Sequence, residues 1–402
     1  MQIESPARSQ ACRSLAALLP LTLPVVACTA DGSGTDVVIT DSAGVAVASN
    51  LGPDIPLDWR FERVLTLGGR DAGPEAFYDV GRGKVDADSS GNLYVLDTGA
   101  KRVVVFDSEG RHLRTIGREG EGPGEIAVPL GFSVLPDGTV FVDDLGKGRL
   151  VGFAPDGSAL DSEERVLPGS RRVYWADGLY SSIVTPDSAG MRHRFLTVGG
   201  DDTTDLAEFH APVEDRVVEF PSCGMSFTGM PPIFAPAIRW DAWRGRAAVR
   251  SGTTYEIDIY DHGRHVNRVR RAILPTRTTA ELAERELGEA MVVMTPDGER
   301  RCDPSEVVEQ RGFEEAMPAV RDLRVDPAGR IWVGRAGPRP EPTQTDILAP
   351  DGTYLGTLPA SAPYPIGFLP DGRALVAETD DVDVTRLVIY RVVEVPSGFE
   401  PE

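Results

Sequence analysis

The sequence predicts an all-β fold assembled from copies of one four-stranded unit, and three observations predict it. The first is the stretch Val85–Ile116 (VDADSSGNLYVLDTGAKRVVVFDSEGRHLRTI), which holds four short apolar runs. Turn residues separate them at Ser89-Ser90-Gly91-Asn92, Thr98-Gly99-Ala100-Lys101 and Ser108-Glu109-Gly110-Arg111. Short Val-, Phe- and Tyr-rich runs bounded by Gly, Ser and Asp read as strands in an up-and-down meander. The second is repetition: Gly91, Asp97, Arg102 and Phe106 recur 47 residues later, at the same offsets, as Gly138, Asp144, Arg149 and Phe153. The third is that one such meander cannot bury both of its faces, so copies must stand beside it. Four strands in a repeat of roughly 40–50 residues describe a propeller blade rather than a solenoid turn.

The N-terminal residues read as a targeting segment. Arg8 and Arg13 precede an uncharged, mostly apolar run from Leu15 to Ala27. Its 13 residues would reach only about 20 Å as a helix, short of a ~30 Å bilayer core, and Pro20 and Pro24 argue further against a span. The run ends in Leu23-Pro24-Val25-Val26-Ala27-Cys28, which resembles a bacterial lipobox. That resemblance implies cleavage before Cys28 and its diacylation; an ordinary signal peptide cleaved near Ala27 or Ala30 is the other reading. Both send the mature chain out of the cytoplasm. Residues 28–58 then form a small, polar tether and N-terminal strands, including Val37–Ser49 at the domain edge or beneath it.

Residues 59–396 carry the blades. Arg63–Leu67 resembles the last strand of a blade but precedes the first complete one, so it is expected to close the ring beside the strand ending near Val392-Val393. Turn glycines before apolar strands stand at Gly91, Gly138, Gly178, Gly245, Gly329 and Gly372, with spacings of 47, 40, 67, 84 and 43 residues. The 67-residue gap includes the Pro-, Met- and Phe-rich loop 221–236, and the 84-residue gap an insertion at about 276–317. Thr279–Leu287 has helical composition there, and a second helix is expected to start at Pro304. Without the insertions the count is six blades, with five or seven left open by the 67-residue gap.

The pattern D-x-x-G-N-L-Y-V-x-D, then R-V-x-V-F-D-x-x-G, then Ile116–Glu125 (IGREGEGPGE) resembles the NHL-type six-bladed propellers. Among these it is most similar to the bacterial secreted propeller lipoproteins, which have no assigned activity. The resemblance is close over the first two blades, looser over the last two, and rests on spacing in the middle of the chain. It implies a six-bladed ring of four-stranded antiparallel blades.

Charge narrows the function classes. The formal net charge of −21 repels nucleic acid and anionic headgroups, so no nucleic-acid partner is expected. No phosphate-loop lysine, nucleophile elbow or H-E-x-x-H motif is present. Gly120–Gly124 is glycine-rich but ringed by Glu119, Glu121 and Glu125, which suits a corner between blades better than a phosphate cradle. Catalytic propellers of the lactonase or lyase kind hold calcium or zinc on their innermost strands. The metal candidates here are Asp86, Asp241 and Asp322, oxygen ligands that suit calcium if any cofactor is bound. Asp97/Arg102 and Asp144/Arg149 read as repeated structural pairs pinning a loop, and Trp240 and Trp243 as core. Cys223 and Cys302 are free to pair in an oxidising compartment.

The expected function is an exported, lipid-anchored, non-enzymatic binding scaffold of the cell envelope, with an unknown protein or small-molecule ligand. The alternatives are a calcium-dependent lactonase- or lyase-like enzyme and an envelope assembly component. Met225, Phe227, Met230 and Phe234 are the candidate binding patch, or else a plug over the channel.

Overall fold

Six main sheets, in which the strands of each blade pair antiparallel with their neighbours, account for most of the chain in a computed structural model. The structure describes residues 37–69, 76–77, 80, 84–144, 146–160, 170–175, 179–187, 190–199, 202–211, 216–295, 298–337, 343–379 and 385–394. Cys28, the targeting segment and Gly178 lie outside these residues. Blade 1 is Val85–Ala87, Leu93–Asp97, Arg102–Phe106 and His112–Ile116. Blade 2 is Pro129–Val134, Val140–Asp144 and Arg149–Phe153. Its sheet is three-stranded among the described residues, with Ala159 bridged to Phe153 where a fourth strand begins to form. Blade 3 is Ser170–Trp175, Leu179–Asp187, Gly190–Gly199 and Asp202–Ala211. Blade 4 is Arg239–Trp243, Arg246–Arg250, Glu256–Asp261 and Arg264–Arg271. Blade 5 is Val320–Val325, Ile331–Arg335, Thr345–Leu348 and Tyr354–Leu358.

Blade 6 closes the ring. Gly367–Phe368, Ala374–Thr379 and Thr385–Val393 are completed by Arg60–Gly68 from the other end of the chain. The register runs from Arg60 opposite Val393 to Gly68 opposite Arg386, as the sequence predicts for residues 63–67.

The alternation of each strand explains the core. In blade 1, Leu93, Val95, Val104 and Phe106 pack against Leu375, Leu387 and Ile389 of blade 6. Their neighbours Tyr94, Leu96, Val103 and Val105 face the other way, onto Phe132, Val134, Val140 and Val142 of blade 2. Both faces are therefore apolar, and the strands read as continuous hydrophobic runs rather than alternating ones. Blades 4 and 5 meet through Ile257, Ile259 and Val269 against Leu323, Ile331 and Val333. Trp240 and Trp243 belong to these wedges, with Trp240 stacked on Phe195 at 4.5 Å.

The turns repeat a single device. Asp88 Oδ1 accepts from the N–H of Ser90 and of Asn92, and Asp326 Oδ1 from Ala328 and Arg330. The tight turn then needs a left-handed residue, supplied by Gly91 at φ 80° and Gly329 at φ 83°. In both blades the second aspartate oxygen takes a buried aromatic donor from the next strand, Tyr94 Oη at 3.1 Å and Trp332 Nε1 at 3.1 Å.

Before it closes blade 6, the N-terminal segment runs along two other blades. Val37–Ser42 and Val45–Asn50 form a hairpin, and the second strand adds in parallel to Arg264–Arg271, extending the sheet of blade 4 to six strands. Next, Thr357 N–H donates to Ile55 O at 2.7 Å, and Leu57 N–H donates to Thr357 O at 2.9 Å, along the outer strand of blade 5. Leu57, Trp59 and Phe61 pack around Trp332, Ile347 and Phe368. Residues 45–68 are thus a belt over the outer edges of blades 4, 5 and 6.

Candidate functional site

In this topology every connection from an outer strand to the next inner strand emerges at the same end of the ring. Two of these connections are long. The one between blades 3 and 4 forms the hairpin Val217–Phe220/Met225–Thr228. The one between blades 4 and 5 forms helix α1 (Ala280–Leu287), the hairpin Met291–Thr295/Gly298–Cys302 and helix α2 (Pro304–Arg311). Capping fixes both helices. Thr279 accepts from Leu282 N–H, Asp303 accepts from Ser305 and Glu306 N–H, and Pro304 starts α2. Gly288 and Gly312 end them at φ 67° and 75°.

The two connections fold into one unit. Val218, Phe220 and Ile233 from the first share a small core with Ala283, Val307 and Val308 from the second. A disulfide joins Cys223 to Cys302 across 79 residues of sequence. Ile233 N–H donates to Gly312 O, and Glu314 N–H to Ile233 O, both at 2.9 Å. Met225 and Phe227 lie on a strand rather than in a loop. With Met230 and Phe234 they are half-buried against this small core. Their apolar character is thus accounted for by the small core of the inserted unit. Among the described residues, Val217, Val292 and Phe313 of the unit are exposed, which sequence reasoning missed because their exposure depends on how the two connections pack.

The inner-strand carboxylates do not converge. Asp86 Oδ2 accepts from Val134 N–H of blade 2 at 2.9 Å, and Asp241 Oδ2 from Val325 N–H of blade 5 at 2.9 Å. Asp322 holds Arg324 at 2.8 Å, and Arg324 donates in turn to Ile366 O, ahead of blade 6, at 3.1 Å. The three aspartates stitch successive blades together. Among the described residues no three His, Cys, Asp or Glu side chains gather as metal ligands.

Burial pushes the Asp86 carboxyl up to about 7, against the hydrogen bonds from Val134 and Ala87 that favour the charged form. A raised carboxyl pKa means that the folded state binds its proton more tightly than the unfolded chain. Its stabilising contribution is then full below the ordinary value of 3.8 and is lost as pH rises to about 7. Asp86→Asn is expected to flatten the melting temperature between about pH 4 and pH 7 relative to the parent, which a pH series of thermal melts would read.

The aspartates of the two repeated pairs accept hydrogen bonds from nearby main-chain N–H groups. Asp97 is fully buried; Arg102 Nη2 lies 3.6 Å from its Oδ2 and Ala100 N–H donates to its Oδ1 at 3.3 Å. Asp144 accepts from Ala127 N–H at 2.7 Å, Val128 N–H at 2.9 Å and Lys147 N–H at 3.3 Å. Arg149 stands opposite Asp144 in the ladder. The glycine-rich stretch is the corner between blades 1 and 2, held by Lys147 Nζ donating to Gly122 O and Glu125 O, both at 2.8 Å.

A different cluster of charge lies at the end of the ring that carries the inserted unit. Arg239 opens the innermost strand of blade 4 and stands directly opposite Arg250, the last residue of the next strand. Arg239 is half-buried and Arg250 is 2% exposed.

Residues 84–166 match the model of the DUF5128 family, described as a 6-bladed beta-propeller. Among solved structures, the chain is similar to a Bacteroides fragilis protein named as a candidate for export, at 12% identity and TM-score 0.50, over 87% of this chain and all of that one. It is also similar to a DUF4221 member from Bacteroides vulgatus, at 10% identity and TM-score 0.49, over 84% of this chain and 99% of that one. A gluconolactonase from Xanthomonas campestris aligns over 85% of this chain and 98% of its own, at 12% identity and TM-score 0.38. No curated protein matches the sequence. Identities this low speak to architecture alone; the family match and the observed sheets make this chain a six-bladed β-propeller.

Proposed function

We propose that the protein is an exported propeller, anchored by a lipid on Cys28, that works as a binding scaffold in the cell envelope without chemistry of its own. One observation carries the reading: the two long connections at one end of the ring fold into a single disulfide-linked unit. A disulfide across insertions belongs to an oxidising compartment, which supports export. The name of the Bacteroides fragilis neighbour points the same way. No helix among the described residues is long and apolar enough to cross a membrane, so attachment in this reading rests on the lipid and the tether. The unit exposes Val217, Val292 and Phe313 at its surface, an apolar set suited to a protein partner.

The test is to shorten both connections to ring-length turns and compare envelope cross-links with those of the intact protein. The unit has its own small core, so the shortened ring is expected to fold with near-parent far-UV dichroism and to lose its specific cross-links. Unchanged cross-links from a folded, shortened ring would place binding elsewhere.

A further inference from the structure

We propose that Arg239 and Arg250 form an oxyanion site at the end of the ring that carries the inserted unit, taking the carboxylate or phosphate group of a small ligand. This deepens the binding reading above and rests on it for the ligand's role.

Four other buried or half-buried arginines of this chain meet carboxylates. Arg271 meets Asp54 at 3.0 Å and Asp346 at 2.8 Å. Arg335 meets the same two aspartates, each at 2.6 Å. Arg324 meets Asp322 at 2.8 Å, and Arg330 meets Asp326 at 2.6 Å. A buried guanidinium without a carboxylate is costly, and these four avoid that cost.

Among the described residues, Arg239 and Arg250 form no ion pair with a carboxylate. Arg239 Nη1 donates to Ile238 O at 3.4 Å, and Arg250 Nη1 donates to Gly252 O at 3.2 Å. Each guanidinium carries five N–H donors, so main-chain carbonyls leave most of them unused. Arg250 Nε is buried and has no acceptor. Asp322 acts on Arg250 electrostatically, but its oxygens already hold Arg324 at 2.8 and 2.9 Å. Burial and the neighbouring Arg239 charge together pull the Arg250 pKa down to about 10. Like charges placed directly opposite in an antiparallel ladder also destabilise the sheet.

Two guanidinium forks placed directly opposite each other suit a group with two or three anionic oxygens, which each fork can grip through paired N–H donors. Arg239 is on the innermost strand and only half-buried, so it offers the approach; Arg250 stands one strand further out. In a chain of net charge −21, a pair of cations set at the ring end would select for an anion by local rather than global potential.

The experiment uses the purified mature protein, titrated with inorganic phosphate and with citrate at constant ionic strength, read by thermal melts and calorimetry. The parent protein is expected to gain melting temperature with at least one of the two. A response to citrate alone assigns a carboxylate ligand, to phosphate alone a phosphate ligand, and to both the shared chemistry. Arg239→Gln is expected to weaken the apparent affinity by about tenfold or more. Arg250→Met is expected to abolish the response while raising the anion-free melting temperature by roughly 2 °C, because it removes a buried uncompensated charge. A parent that responds to neither anion overturns the proposal. So does a response that survives undiminished in Arg239→Gln, or an Arg250→Met protein less stable than the parent. None of these readouts depends on a protein partner, so the site can fail while the scaffold reading stands, and the reverse.

Discussion

Asp346→Ala is expected to cost about 3–5 kcal/mol of stability, the penalty for removing one partner from a buried ion pair. Asp346 is 0% exposed on the third strand of blade 5. It sits 2.8 Å from Arg271 Nη1 of blade 4 and 2.6 Å from Arg335 Nη2, and accepts from Thr357 Oγ1 at 2.6 Å. Arg271 has 2% side-chain exposure and lies with its guanidinium carbon 3.8 Å from the centre of the Tyr354 ring. Without Asp346, that cation keeps as its carboxylate, among the described residues, Asp54 of the belt, which it shares with Arg335. The loss therefore strikes three elements at once: blade 4, blade 5 and the N-terminal belt. Urea unfolding followed by tryptophan fluorescence would read it, as a lower midpoint with an unchanged slope.

Trp332→Ala is expected to cost a similar ~3–5 kcal/mol, through the cavity it leaves. Trp332 is 0% exposed, and its ring meets Trp59 at 5.6 Å, Phe61 at 6.3 Å and Phe368 at 5.2 Å. Two of those rings come from the belt and one from blade 6, so the side chain ties the closing segment to the seam between blades 5 and 6. Removing it also leaves Asp326 Oδ2 without its Nε1–H donor at 3.1 Å. Besides a lower urea midpoint, limited proteolysis is expected to cut within residues 51–59 faster than in the parent. Equal protection of that segment would mean that the belt is held by its ladder hydrogen bonds rather than by this cluster.

Much of the ring was legible because its signals are local. Turn chemistry at Gly91 and Gly138, the offsets to Asp97 and Asp144, and the continuous apolar strands each follow from short stretches of chain. Ring closure was legible for a related reason: residues 63–67 have the pattern of a blade's last strand with no blade before them. The helices were legible through Thr279 and Pro304, which start them. What could not be read depends on contacts between distant segments. The hairpin at 217–228 and the helices at 280–311 become one unit only in three dimensions, so loop 221–236 looked like a plug or a patch. The Cys223–Cys302 pair was open for the same reason. The cluster of Asp54, Arg271, Arg335 and Asp346 joins the belt to two blades, and no spacing announces it.

The arginine pair lies between these cases. Arg244 at φ 43° and Gly245 at φ 73° make a two-residue hairpin turn, and such a turn fixes the register of its strands. Counting outward from it sets Arg239 opposite Arg250, so the juxtaposition was within reach of the sequence. That neither cation meets a carboxylate among the described residues was not, because it depends on where Asp322 is spent.

Intact-mass spectrometry of the protein extracted from its native membranes tests the scaffold reading most directly. The chain is expected to begin at Cys28, to carry a diacylglyceryl group there, and to have no free thiol at Cys223 or Cys302. A chain that keeps residues 1–27, or one with an unmodified Cys28 and two free thiols, would contradict export and anchoring together.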